Sequence, residues 1–252
     1  MLSCRNVSVR FGGVTALDGV SFDAPEGQTI GLIGPNGAGK TTLFNCISRL
    51  YPVHEGDILF GGRSLLDRSS HDMGALGIAR TFQNVALFDT LTVLDNVILG
   101  AHARRGRGFF ADAMPVPGAL RTERSLAHEA ASLIAELGLE GVAGRRAGDL
   151  PFGIRKRVEL ARALAGKPRL LLLDEPVAGL NHAEIEELAV LVRSLRTRTA
   201  LTVLLVEHHM SMVMSVSDRV VVLDFGRVIA DGTPAQVKDD PEVVRAYLGA
   251  GA

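Results

Sequence analysis

The chain has 252 residues, 47% of them hydrophobic, and a formal net charge of −1. This length and apolar content allow a full core without disulfides or a structural metal, and the near-neutral charge argues against a nucleic-acid partner, which needs clustered positive charge. No segment reaches the roughly 20 apolar residues of a membrane-spanning helix, and the N-terminus has no signal-peptide core. Cys4 and Cys46 form no CxxC motif, so we expect free, buried thiols rather than a disulfide. We therefore expect a cytosolic chain that reaches a membrane only through partners.

Short apolar runs alternate with helical patterns along the chain, and glycines mark the joints. Because the later runs are unbroken, as is typical of strands covered by helices on both faces, we predict a largely parallel central sheet. The predicted strands are Leu2–Phe11, Thr15–Phe22, Gln28–Ile33, Asp57–Phe60, Arg169–Leu173, Leu201–Val206 and Arg219–Asp224. The predicted helices are Lys40–Arg49, Leu91–Ala103, Glu123–Leu137 and Ala183–Leu195.

The middle third of the chain differs from the rest in residue composition and hydrophobic pattern. Between two amphipathic helical patterns lies Arg104–Arg121, which is rich in Gly, Pro and Arg and contains Phe109 and Phe110. Loops of this length are unusual in compact domains unless they are functional or disordered, and we favour a solvated loop over a lipid contact. We predict that residues 1–88 and 162–252 form an α/β core, and that residues 89–161 form an inserted helical subdomain.

A phosphate-binding motif stands between a predicted strand and a predicted helix. Residues 34–41 read GPNGAGKT and match GxxxxGK[ST] in the structural context that this motif requires. Its glycines let successive N–H groups point at one anion, and the helix N-terminus adds positive partial charge. We expect Lys40 to reach the β- and γ-phosphates of ATP and Thr41 to ligate Mg²⁺. The predicted nucleotide-binding residues of this loop are Gly34, Pro35, Asn36, Gly37, Ala38, Gly39, Lys40, Thr41 and Thr42.

Two acids, Asp174 and Glu175, end the apolar run of residues 170–173. Ligands of open α/β sheets bind at the carboxyl ends of the strands. Asp174 suits a Mg²⁺ site, because this cation prefers oxygen ligands, and Glu175 suits the orientation and deprotonation of an attacking water. Alone, such a pair is as typical of a solvated strand end. Together with the phosphate loop it predicts ATP hydrolysis.

These motifs and the segments around them resemble the ATPase subunit of ATP-binding cassette (ABC) transporters over nearly the whole chain. Residues 10–22, 80–88 and 240–249, together with the long middle loop, narrow the resemblance to the branched-chain amino acid importer ATPases. The resemblance implies an α/β fold of the P-loop NTPase class, with a RecA-like mainly parallel sheet, an antiparallel β subdomain and an inserted α-helical subdomain.

The resemblance also implies roles for residues that the motifs alone leave unassigned. Phe11 matches the aromatic residue that stacks on adenine, although a core Phe ending a strand is the alternative. Gln83 matches the glutamine that contacts Mg²⁺ and water and couples the site to the membrane subunits. His208 matches the histidine that contacts the γ-phosphate, whereas His209 is expected at the surface. Asn181 belongs to the loop that crosses to a partner subunit.

The chain departs from the family pattern at Pro151. The family signature LSGGQ corresponds here to residues 150–154, LPFGI, in which Gly153 is the implied contact to the ATP of a partner. Pro151 has neither the hydroxyl nor the N–H that the signature serine supplies, although proline is well tolerated at a helix start. This departure favours a pair of non-identical ATPase subunits with two unequal ATP sites.

The sequence therefore predicts the ATP-hydrolysing, energy-coupling subunit of an importer, peripheral on the cytoplasmic face of the membrane and using ATP and Mg²⁺. Its expected partners are transmembrane permease subunits, a second ATPase subunit (in a homo- or heterodimer) and, indirectly, a solute-binding protein. Branched-chain or other hydrophobic amino acids are the favoured cargo. Urea, amides or other solutes are alternatives, as is a soluble ABC ATPase of cofactor assembly.

Overall fold

The computed structural model describes residues 1–102 and 119–249. Ten strands are present in these ranges: β1 Leu2–Phe11, β2 Val14–Ala24, β3 Thr29–Ile33, β4 Glu55–Phe60, β5 Arg63–Ser64, β6 Ile78–Arg80, β7 Leu170–Asp174, β8 Thr202–Val206, β9 Arg219–Asp224 and β10 Arg227–Gly232. The α-helices of these ranges are α1 Lys40–Ile47, α2 Met73–Leu76, α3 Val93–His102, α4 Ala119–Glu136, α5 Phe152–Ala165, α6 His182–Thr199, α7 Met210–Val216, α8 Pro234–Lys238 and α9 Pro241–Gly249. Short 3₁₀ turns cover Ser70–Asp72, Glu140–Val142 and Ala147–Asp149.

The strands form two sheets. A six-stranded sheet has the order β10-β9-β3-β8-β7-β6, and all of its neighbours are parallel except β10, which pairs with β9 as an antiparallel hairpin. A four-stranded sheet has the order β2-β1-β4-β5 and is antiparallel throughout. The predicted parallel sheet and antiparallel β subdomain are both present.

Strand β7 shows why the central strands read as unbroken apolar runs. Successive strand side chains point to opposite faces, and here both faces are covered. Leu171 and Leu173 pack into a core with α3, α4, α5 and α6. Leu170 and Leu172 pack into a second core with α1 and the antiparallel sheet. The strand is therefore buried at all five positions.

Most of the predicted segments differ from the observed elements by a few residues at one or both ends. The predicted helix Lys40–Arg49 ends at Ile47, and the predicted loop Arg104–Arg121 ends earlier than expected, because helix α4 already begins at Ala119. Residues 104–118 of that loop lie outside the described residues. The division into core and helical subdomain stays a prediction, and its boundary at 161/162 falls within the continuous helix α5.

Both cysteines are free and buried, as predicted. Burial raises the pKa of the Cys46 thiol to about 11 and raises the pKa of Cys4 further. In the ranges that the structure describes, no helix is long and apolar enough to cross a membrane.

Candidate active site

The phosphate loop between β3 and α1 requires glycine at two positions. Gly34 has φ 149° and Gly39 has φ 101°, both on the left-handed side that other residues rarely adopt. A Cβ atom on Gly34 would lie 2.0 Å from the carbonyl oxygen of Leu223, and one on Gly39 would lie 2.6 Å from that of Ala16. The loop is therefore wedged between the β9 end and β2, which holds its backbone in a defined curve.

Lys40 begins helix α1 and is buried inside this loop. Its Nζ donates to the carbonyl oxygens of Gly34 (2.7 Å) and Pro35 (2.9 Å). Burial lowers the pKa of Lys40, and the nearby Glu175 carboxylate opposes that shift. No side chain caps the N-terminus of α1, so its first N–H groups remain open to an anion such as phosphate.

Asp174, the last residue of β7, carries a buried ion pair. Arg80 at the end of β6 donates from Nη2 to Asp174 Oδ2 at 2.8 Å, and the two side chains are only 9% and 6% exposed. The Arg80 Nη1 atom also donates to Asn45 Oδ1 (2.8 Å), and the guanidinium lies over the rings of Phe44 and Phe82. Sequence reasoning did not single out Arg80, because its partner is 94 residues away.

Glu175 is held between two loops. Gln83 Nε2 donates to Glu175 Oε2 at 2.8 Å, and His208 Nε2 lies 3.1 Å from Glu175 Oε1. The Glu175 backbone has φ 47°, a left-handed conformation that is rare outside glycine and concentrates at functional sites. Two residues predicted to act with Glu175, Gln83 and His208, are therefore each in direct contact with it.

A second buried acid, Glu207, fixes the histidine side of this group. Its carboxylate accepts from the N–H groups of Val177 (2.8 Å), His208 (3.0 Å) and His209 (3.3 Å). These bonds tie the loop after β7 to the loop after β8. His209 itself is exposed, as expected. Sequence reasoning missed Glu207, since a charged residue after a strand is ordinarily taken as solvated.

The remaining predicted residues lie apart from this cluster. Phe11 ends β1, is 43% exposed and packs edge-on against Tyr51 with ring centroids 5.3 Å apart, so the alternative of a core Phe does not hold. Pro151 is the N-cap residue of α5. A Cβ atom on Gly153 would lie against Glu184 and Leu180, which places this residue beside the loop after β7 and the first turn of α6 rather than beside the phosphate loop of its own chain.

Comparison with known proteins decides the family. Residues 17–178 match the family described as ABC transporter, and residues 227–252 match the family described as branched-chain amino acid ATP-binding cassette transporter. The chain belongs to the ABC transporter family. This cassette is 42% identical, over 99% of its length and 98% of the relative's, to the high-affinity branched-chain amino acid transport ATP-binding protein BraF of Pseudomonas aeruginosa. It is 39% identical, with the same coverage, to LivG of Escherichia coli strain K12, which carries the same description.

Solved structures agree with this assignment. The ADP conformation of MJ1267, an ATP-binding cassette of an ABC transporter, superposes with a TM-score of 0.84 at 30% identity, covering 99% of this cassette and 98% of that chain. The dimeric post-hydrolysis state of MJ0796, bound to ADP and phosphate, gives a TM-score of 0.76 at 27% identity, covering 93% and 99%. The predicted fold class and the assignment as an ABC ATPase are confirmed.

The oxygen donors of the cassette fit Mg²⁺. Thr41, an exposed residue with a hydroxyl, lies in the first turn of α1. Gln83 uses its amide nitrogen on Glu175, which leaves the amide oxygen for a cation, and Asp174 uses Oδ2 on Arg80, which leaves Oδ1. Within the described ranges, no group of three or more His, Cys, Asp or Glu side chains forms a metal cage of its own. Mg²⁺ typically needs only one or two carboxylates when phosphate oxygens complete its shell.

The buried pair of Arg80 and Asp174 predicts a large stability effect. Arg80→Met would leave Asp174 as an uncompensated buried charge, so we expect the free energy of unfolding to fall by about 3–5 kcal/mol in urea titrations. Arg227→Met is the control, because Arg227 pairs with Asp18 at side-chain exposures of 71% and 43%, and an exposed pair contributes about 0–1 kcal/mol. Equal losses in the free energy of unfolding in the two variants would show that the buried pair of Arg80 and Asp174 contributes no more than an exposed pair, and would contradict this prediction.

Proposed function

We propose that this cassette hydrolyses Mg-ATP to drive import of branched-chain or other hydrophobic amino acids through permease subunits on other chains. The observation that carries the catalytic part is the placement of Glu175 between Gln83 and His208, beside the buried Lys40. The identity of 42% over 99% of the chain to BraF, and the C-terminal match over residues 227–252, support the cargo class.

In the proposed reaction, water attacks the γ-phosphorus and the bond from that phosphorus to the β–γ bridging oxygen breaks, giving ADP and phosphate. The loop amides and Lys40 bind the phosphates, and Phe11 stacks on the adenine. The Glu175 carboxylate orients the water and accepts its proton as the new P–O bond forms. His208 contacts the γ-phosphate, and Gln83 holds Glu175 in place. Thr41, Gln83 and Asp174 would hold Mg²⁺, which would supply positive charge to the phosphates.

We place the permease contact on the apolar surface around the loop that carries Gln83. Phe82, Phe88 and Leu99 are exposed there, and a groove of about 350 Å³ runs between Phe88, Leu99 and Arg162. Exposed apolar clusters of this kind mark partner sites. The cassette would thus lie on the cytoplasmic face of the membrane, paired with a second ATPase subunit and served indirectly by a solute-binding protein.

The cargo is the part of this proposal that relatives leave open. The Fe(3+) ions import protein FbpC of Streptomyces avermitilis is 37% identical, although the chain covers only 68% of that protein. Urea and amides are further alternatives for an importer, and cofactor assembly is the alternative for a soluble cassette. None of these changes the hydrolysis chemistry, because the binding and membrane subunits select the solute.

Transport in proteoliposomes tests the cargo. The cassette is assembled with its copurifying membrane and solute-binding proteins, and uptake of labelled leucine, urea and Fe³⁺ is compared with and without Mg-ATP. We expect ATP-dependent uptake of leucine only. Uptake of urea or Fe³⁺ in place of leucine would contradict the cargo class and leave the ATPase assignment intact, and absence of any membrane partner would favour the soluble alternative.

Replacement of the catalytic acid tests the proposed chemistry. Glu175→Gln keeps an oxygen acceptor for Gln83 but removes the base, so we expect Mg-ATP affinity to persist while turnover of the assembled complex falls about 10²–10⁴-fold. Glu187→Gln, which alters an exposed acid on α6, is the matched control and should leave turnover unchanged. Undiminished phosphate release by Glu175→Gln would rule out the role assigned to this residue.

Substitution of Pro151, which departs from the family signature, tests the proposed pairing with a non-identical subunit. Pro151 has no side-chain cap bond and no N–H to offer. A hydrogen bond to a charged group is worth about 1.5–3 kcal/mol, so Pro151→Ser is expected to raise turnover of the assembled complex roughly tenfold. Pro151→Ala restores only the N–H, so comparison with Pro151→Ser separates the effect of the N–H on turnover from that of the hydroxyl. If neither variant changes turnover, the two ATP sites do not differ through this residue.

A further inference from the structure

The loop that carries Gln83 is held in place by hydrogen bonds to one helix, α5. Residues 82–86 have no regular secondary structure. In the part of the chain that the structure describes, the main-chain hydrogen bonds of these residues all go to side chains of α5. Glu159 Oε1 accepts from the N–H groups of Phe82 (3.2 Å) and Ala86 (3.3 Å), which brackets the loop at both ends.

Two cationic side chains of the same helix also form hydrogen bonds to the loop. Lys156 Nζ donates to the carbonyl oxygen of Gln83 at 2.9 Å and to that of Glu175 at 3.4 Å. Arg162 Nη1 donates to the carbonyl oxygen of Ala86. One helix therefore bonds to the loop and, through Lys156, to the backbone of the proposed catalytic base.

The spacing and burial of these side chains show that they act as a set. Lys156, Glu159 and Arg162 recur every three residues and so share one face of α5. Glu159 is 1% exposed and Lys156 is 6% exposed. Burial lowers the pKa of Lys156 and of Arg162 and raises that of Glu159, although the charges of the set oppose each shift. Their polar atoms bond to main chain, so the contact does not depend on which side chains the loop carries.

We propose that Lys156, Glu159 and Arg162 are positioning residues that hold the Gln83 loop against helix α5, in the place where Gln83 bonds to Glu175. The inference deepens the proposed function and rests on it. The N-terminus of α5 carries Phe152 and Gly153, the segment that the family resemblance directs at a partner's ATP, and Lys156 lies 5.7 Å from the Phe152 ring centroid. Lys156 therefore links the first turns of this helix to both Gln83 and Glu175.

The test compares variants of the assembled complex. In Glu159→Ala and in Lys156→Met we expect kcat for ATP hydrolysis to fall about 10–100-fold, because small misplacements of catalytic groups have effects of this size, while KM for ATP stays unchanged. Glu159→Gln retains an oxygen acceptor for both N–H groups and should keep most of the activity. Arg157→Met is the control on the same helix, because Arg157 pairs with Glu187 instead of the loop, and it should leave kcat unchanged.

Hydrogen exchange separates this inference from the function it rests on. Exchange of the peptide containing residues 82–86, followed by mass spectrometry, is expected to rise about tenfold or more in Glu159→Ala and to stay slow in Glu159→Gln and Arg157→Met. This measurement needs no hydrolysis, so it stands if the proposed chemistry fails. If Glu159→Ala does not fold, Lys156→Met and Arg157→Met carry the comparison. Unchanged exchange and kcat in Lys156→Met, or an equal loss in Arg157→Met, overturns the proposal.

Discussion

The parallel register of β6, β7 and β8 is the constraint on which the candidate active site depends. It pairs Arg80 with Leu172 and Asp174 with Val206, so three neighbouring strands end at one edge of the sheet. Gln83 and His208 thereby reach Glu175 across 92 and 33 residues of sequence. A slip of one residue in β7 would turn Asp174 to the opposite face of the sheet. Asp174 and Glu175 can form a site with Gln83 and His208 only because this strand pairing brings them together.

Contiguous motifs made much of this candidate site visible in the sequence. Residues 34–41 reveal the phosphate loop because its glycines, lysine and flanking elements are adjacent in sequence, and the structure shows the steric reason at Gly34 and Gly39. The unbroken apolar run before Asp174 likewise predicted a buried strand. Gln83 and His208 are different. Each is a single polar residue after a strand, and only the resemblance to ABC ATPases distinguished them from incidental surface residues.

The groups that the sequence did not reveal are charged side chains whose partners are distant. Arg80, Glu159 and Glu207 are largely buried, whereas arginine and glutamate are ordinarily placed at the surface when a sequence is read. Each of the three has a partner between 30 and 94 positions away, and no local spacing reveals that contact. The left-handed backbone of Glu175 is equally invisible, because the residue type disfavours that conformation. Tertiary contacts impose it.

The two contacts of Glu175 are anchored in different ways, one by the central sheet and the other by a neighbouring helix. On one side, Glu207 binds the main chain after both β7 and β8, so His208 is fixed to the central sheet itself. On the other side, Glu159 and Lys156 bind the Gln83 loop to α5, which packs with the helices of the middle third. Helix α5 shares one packed core with Leu171 and Leu173 of β7, so both anchors rest on the same closely packed interior. The Gln83 contact therefore depends on side chains of a neighbouring helix, whereas the His208 contact depends on Glu207 directly after β8.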